Sequence, residues 1–201
     1  MQDGTALPSL GMKVIGLAGR AGSGKSAVGS ELAREAGVVL LDLDRVAWDA
    51  YRPRTPTYWR LVSRFGRGIL GPDGTVDRSR LARLAFRIEK DRADLDSIVH
   101  PAVGDRLKDA IREETTRGTK ILYVEGALLG SSPHVDRRLF SAIVWLDTSD
   151  ATRRDRLAAS GRSAHVDRDF PEPPGDAVCR VSGEGTVEEV ASRVHSFVET
   201  L

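Results

Sequence analysis

Cysteine is almost absent from this chain: Cys179 stands alone among 201 residues. No internal disulfide can form, and a reducing compartment is the natural setting. Long apolar runs are missing as well. None approaches the roughly 20 residues needed to span a bilayer, and the N-terminus lacks the basic, apolar and small-residue regions of a secretory signal. These absences lead us to expect a cytoplasmic protein. An excess of charge of either sign is lacking too. The 30 Lys and Arg against 29 Asp and Glu leave a formal net charge of +1. Nothing global therefore argues for a nucleic acid or a membrane as partner. Lysine is scarce beside arginine, a bias that fits either many oxyanion contacts or a GC-rich genome. No internal repeat is present.

What remains is a chain of the right size for one α/β domain with a modest helical insertion. Residues 1–11 are polar and turn-rich, and Met12 sits directly before the first apolar run. We expect residues 1–12 to form a disordered tail and 13–201 a single domain, with Met1 and Met12 both open as the start. Four short apolar runs, 14–17, 38–41, 121–124 and 143–146, are bounded by polar text and read as buried strands. Helical periodicity separates them. Val28, Leu32 and Ala33 follow the first run; Val103, Leu107, Ala110 and Ile111 precede the third; Val187, Val190, Val194, Phe197 and Val198 form a final stripe. This alternation predicts a parallel sheet covered on both faces, a three-layer α/β sandwich. Residues of about 52–118 carry no strand signal. They hold a turn at Gly71-Pro72-Asp73-Gly74 and helical text from Arg78 onward, and read as a helical insertion on the substrate side. Residues 160–176 hold Pro171, Pro173 and Pro174 among many charges and read as an irregular loop.

The strongest local signal is Gly19-Arg20-Ala21-Gly22-Ser23-Gly24-Lys25-Ser26. It matches the Walker A pattern in full, with an apolar strand before it and an amphipathic helix after it. Glycines let the backbone turn tightly and aim N–H groups at phosphate oxygens. The helix opening at Lys25 adds its positive dipole end. Lys25 reaches the β- and γ-phosphates as a point charge, and the Ser26 hydroxyl helps to hold Mg²⁺, which prefers hard oxygen ligands. The expected ligands are thus ATP and Mg²⁺. No DxxG element or N/T-K-x-D base reader marks a GTPase, and no LSGG-like signature marks an ABC-type ATPase. A small-molecule kinase remains.

Two acids, Asp42 and Asp44, end the second run. Ligands of open α/β sheets sit outside the carboxyl ends of strands, so both fall beside the phosphate cradle. A carboxylate there can take a proton from an acceptor hydroxyl or hold the metal. Solvated or helix-capping aspartates would give the same spacing. Glu125 ends the third run before Gly126. It is a Walker-B-like candidate for a Mg²⁺-bound water, or a bare strand-end glutamate.

These residues resemble the dephospho-CoA kinase family. The stretch Val14-Ile15-Gly16-Leu17 leading to Gly24-Lys25-Ser26 is similar to that family's opening. Leu41-Asp42-Leu43-Asp44 with Val46-Ala47 is similar to its aspartate-x-aspartate segment. The most specific stretch is Phe65-Gly66, Ile69-Leu70 and Asp73-Gly74-x-Val76-Asp77-Arg78 with Leu81 and Phe86. His100-Pro101 and Val144-Trp145-Leu146-Asp147 with Arg156-Leu157 add to it, so the likeness covers roughly 13–158 and the last helix. It implies an ATP- and Mg²⁺-dependent kinase acting on the ribose 3′-hydroxyl of dephospho-CoA. Asp44 would be the catalytic base, Lys25 and Arg156 would complete the catalytic set, and Asp42, Arg78 and His100 would face the acceptor. Ser26 and Glu125 would serve the metal. Surface capping by Arg78 and helix-start packing by His100 are the plain alternatives. The family's lid helix carries a second arginine and a glutamine. Here the lid, about 153–176, is short and proline-rich; Arg162 stands in for the second arginine, and the glutamine has no equivalent. Ala127-Leu128-Leu129 also replaces the family's proline-leucine-leucine. The alternative reading is a nucleotide-binding relative with a degenerate lid that acts on another small molecule or transfers inefficiently. A monomer or small homo-oligomer is expected.

Overall fold

The computed structural model describes residues 11–126, 129, 132, 134–163 and 178–201. Most of the expected N-terminal tail, the proline-rich part of the expected lid, and the Ala127-Leu128 pair therefore lie outside the described residues. Five parallel strands form one sheet: β1 (Lys13–Ala18), β2 (Val38–Asp42), β3 (Ile121–Glu125), β4 (Ala142–Asp147) and β5 (Val178–Ser182), in the order β2-β3-β1-β4-β5. Four of these occupy the apolar runs. β5 corrects the count. It is an edge strand in which only Val181 is buried, and Val181 pairs with Leu146 while Arg180 lies 3.5 Å from Asp147. Half-buried and charged, it lacks the apolar run that betrays a central strand.

Seven helices surround the sheet among the described residues: α1 (Lys25–Leu32), α2 (Leu43–Ala50), α3 (Pro56–Phe65), α4 (Arg78–Ala85), α5 (Glu89–Arg117), α6 (Asp150–Ala159) and α7 (Val187–Glu199). Their starts are written in local chemistry. Asp42, Thr55, Asp77, Ser149 and Thr186 each accept a backbone N–H from the first turn of the helix that follows. Pro56 occupies the first turn of α3, where no intrahelical N–H is needed. Thr186 and Glu189 form a reciprocal capping box on α7.

Successive strand side chains point to opposite faces, and this divides the core in two. Val14, Leu122 and Val124 meet Leu61, Leu81, Val103 and Leu107 from the helices between β2 and β3. Ile15, Leu17 and Tyr123 meet Val28, Leu32, Val190 and Val194 from α1 and α7 on the other face. Each such apolar side chain contributes roughly 1.5–3 kcal/mol when fully buried. The Gly71–Gly74 turn forms as read, closed by the Gly74 N–H donating to the Gly71 carbonyl at 3.0 Å and flanked by a bridge between Leu70 and Val76. The His100-Pro101 pair differs from a helix start. α5 runs unbroken through Pro101 for 29 residues. Packing of Val99, Val103, Leu107 and Ile111 against the sheet holds the helix across the missing donor.

Candidate active site

Parallel register brings the carboxyl ends of three strands together. Leu17 of β1 and Asp42 of β2 both pair with Glu125 of β3. The chain leaves β1 at Ala18, turns through residues 19–24 and enters α1 at Lys25. Gly22 and Gly24 have φ of 81° and 99°, the left-handed region that favours glycine. Lys25 Nζ donates to the carbonyls of Gly19 (2.6 Å) and Arg20 (3.1 Å). Burial lowers its pKa to about 8, against the opposing pull of Glu125 and Asp44. Glu125 is itself buried. Burial raises its pKa, and a hydrogen bond from the Ser26 side chain opposes that rise.

The two aspartates divide their work. Asp42 Oδ1 accepts the N–H groups of Asp44 (2.8 Å) and Arg45 (3.0 Å), so Asp42 caps α2. Asp44, in the first turn of that helix, is exposed and lines a cleft of about 510 Å³. Its charge reaches both Lys25 and Glu125. Lys25, Ser26, Arg156 and Arg162 line the same cleft, together with Leu157, Thr186, Val187 and Val190. The cleft thus joins a phosphate cradle and a carboxylate to a partly apolar lining.

Comparison with known proteins agrees with this geometry. The dephospho-CoA kinase family model matches residues 13–162. This chain belongs to the dephospho-CoA kinase family. A dephospho-CoA kinase from Corynebacterium jeikeium is 33% identical over 196 residues, covering 92% of this chain and 98% of the relative. One from Symbiobacterium thermophilum is 32% identical, covering 94% of this chain and 74% of the relative. A crystal structure from Thermus thermophilus superposes with a TM-score of 0.70 at 27% identity, covering 94% and 97% of the two chains. The fold is that of the P-loop kinases, with the parallel sheet and flanking helices expected of them.

Arg78 and His100, both singled out by the family resemblance, differ in their surroundings. The Arg78 guanidinium stacks on Trp48, 3.5 Å from the ring centroid, and hydrogen-bonds Tyr51, whose own pKa burial raises. Trp48 follows Asp44 by four residues on α2 and shares its helix face, and Tyr51 is the C-cap that ends the helix. Neither aromatic is marked by a motif; the spacing from Asp44 is the signal that could have found Trp48. His100 is buried in α5, 3.4 Å from Asp96 and within reach of the His134 charge, and burial lowers its pKa. Neither Arg78 nor His100 lines the cleft.

The arginines of the family's lid region also separate by role. Arg156 donates to the carbonyls of Ser23 (3.1 Å), Gly183 (3.0 Å) and Gly185 (3.2 Å), tying the P-loop to the segment before α7. Arg162 Nε donates to Ser160 Oγ at 3.2 Å, and its charge reaches Lys25. Arg153, which no motif marks, is the bulkiest fully buried side chain of the described residues. Periodicity alone treats it as one more arginine on a charged helix.

Proposed function

We propose that this chain transfers the γ-phosphoryl group of ATP to the ribose 3′-hydroxyl of dephospho-CoA. The observation that carries the reading is Asp44 facing Lys25 at the mouth of the P-loop. The backbone N–H groups of residues 22–26 and the Lys25 ammonium hold the phosphates of the donor. The purine occupies the partly apolar lining beside Val187 and Val190. Asp44 takes the proton from the acceptor hydroxyl as the new O–P bond forms and the bond to the β–γ bridging oxygen breaks, releasing ADP. Arg156 and Arg162 bring positive charge to the moving group.

The donor set also fits a magnesium ion. Ser26 and Glu125 are hydrogen-bonded to each other at the end of the cradle, and no group of three His, Cys, Asp or Glu among the described residues could hold an ion by itself. A site of one hydroxyl and one carboxylate suits Mg²⁺, which keeps waters and shares phosphate oxygens. Bound there, the ion would neutralise charge on the β- and γ-phosphates. Arg78 and the exposed ring of Trp48 lie one turn beyond Asp44, and we assign them to the acceptor side. Asp42 supports that side by fixing the start of α2; His100 would act from its buried place in α5. No helix among the described residues is long and apolar enough to cross a membrane, and we place the enzyme in the cytoplasm as a monomer or small homo-oligomer. Family membership disfavours a degenerate relative. Coupled ADP release with and without dephospho-CoA tests the reading: turnover should rise many-fold with the acceptor. Equal rates in both arms would refute it.

A further inference from the structure

We infer that Arg153 is a positioning residue that sets the phosphate-binding amides of the P-loop. Its side chain is 1% exposed. Nε donates to the Ala21 carbonyl at 2.7 Å, and the guanidinium pairs with Asp150 at 2.5 Å. The same Asp150 oxygen also accepts from Arg20 at 2.9 Å. Two arginines, one from the loop and one from α6, therefore share a single carboxylate. Two residues along the loop, Arg156 takes the Ser23 carbonyl at 3.1 Å.

The consequence follows from peptide geometry. In a trans peptide the C=O and the next N–H point in opposite directions. Drawing the Ala21 and Ser23 carbonyls toward α6 turns the N–H groups of Gly22 and Gly24 away from it. Gly22, Gly24 and Lys25 all line the cleft, so those amides are presented where donor phosphates bind. The approach is close enough to demand glycine. A Cβ on Gly22 would lie 2.7 Å from the Arg153 carbonyl and 3.0 Å from Leu157 Cγ, and one on Gly24 would lie 3.3 Å from the Arg156 guanidinium. α6 is thus a brace pressed against the phosphate loop. Removing its buried charge would strand the Ala21 carbonyl and let the peptide rotate.

This inference rests on the proposed kinase reading for its kinetic part and on nucleotide binding alone for the rest. Arg153→Met keeps an apolar stem and removes the donor. Isothermal titration with ADP should show affinity lowered about 10- to 100-fold. KM for ATP should rise while KM for dephospho-CoA stays within about twofold, and Arg153→Lys should restore part of the ADP affinity. ADP affinity within twofold of wild type, or equal rises in both KM values, would overturn it. If Arg153→Met does not fold, Asp150→Ala decides. Asp150 is exposed and its loss frees both arginines from their anchor; ADP affinity should fall about threefold, and an unchanged value would overturn the inference. Failure of wild-type transfer to dephospho-CoA would refute the kinase reading without touching the ADP result.

Discussion

Nucleotide affinity should weaken steeply above pH 8, because burial brings the Lys25 pKa down to about 8 from an ordinary value of 10.5. A bound phosphate favours the ammonium, so the form that binds tightly is the protonated one. Roughly nine-tenths of the free protein carries that proton at pH 7 and roughly one-tenth at pH 9. Apparent affinity scales with the competent fraction, which gives about a tenfold loss between these values. A lysine at 10.5 would lose less than twofold over the same range. ADP titrated calorimetrically at pH 7, 8 and 9, in pairs of buffers with different ionisation heats, reads both quantities. Binding at pH 9 should also take up close to one proton per site. The same shift makes the nucleotide-free fold gain stability as pH rises from about 8 toward 10.5, since the unfolded chain there binds the extra proton. A flat affinity profile with no proton uptake would refute the reasoning.

Three further outcomes follow from the site. Asp44→Asn should cost about 10²–10⁴ in turnover with ATP affinity largely kept. Asp42→Asn should cost little, because asparagine caps a helix almost as well as aspartate; steady-state kinetics on both variants would expose equal effects if the assignment is mistaken. Arg156→Ala should lose more activity than Arg162→Ala, since it also releases the Ser23, Gly183 and Gly185 carbonyls; a dominant Arg162 effect would place the delivered charge on the loop. Dephospho-CoA should quench tryptophan fluorescence in wild type but much less in Trp48→Phe, and an unchanged quench would remove Trp48 from the acceptor side.

The parts of this molecule that were legible in its sequence are those whose signal is local. β1, the phosphate loop and α1 follow one another within a single motif. Side-chain caps such as Asp77 and Thr186 mark their helices directly. What was hidden depends on partners far along the chain. β5 exists because β4 offers it a free edge, with Val181 as its one buried residue. Arg153 looks solvated until α6 is seen to lie on Gly22, 131 positions earlier in the chain. The apolar lining of the cleft joins Leu157 to Val187 and Val190, and no spacing rule links those positions. His100 carries a local signal of another kind: a recognisable dipeptide marks it, and only the fold shows its side chain buried beside Asp96 and His134.

The central claim is transfer to one hydroxyl, and the direct measurement is the position of the new phosphate. Purified protein incubated with ATP, Mg²⁺ and dephospho-CoA should yield ADP and a product whose added phosphate resides on the ribose 3′-oxygen by phosphorus–proton correlated NMR. The 3′-deoxy analogue of the acceptor should yield no phosphorylated product. A phosphate found elsewhere on the acceptor, or ADP formed with inorganic phosphate as its only counterpart, would contradict the account.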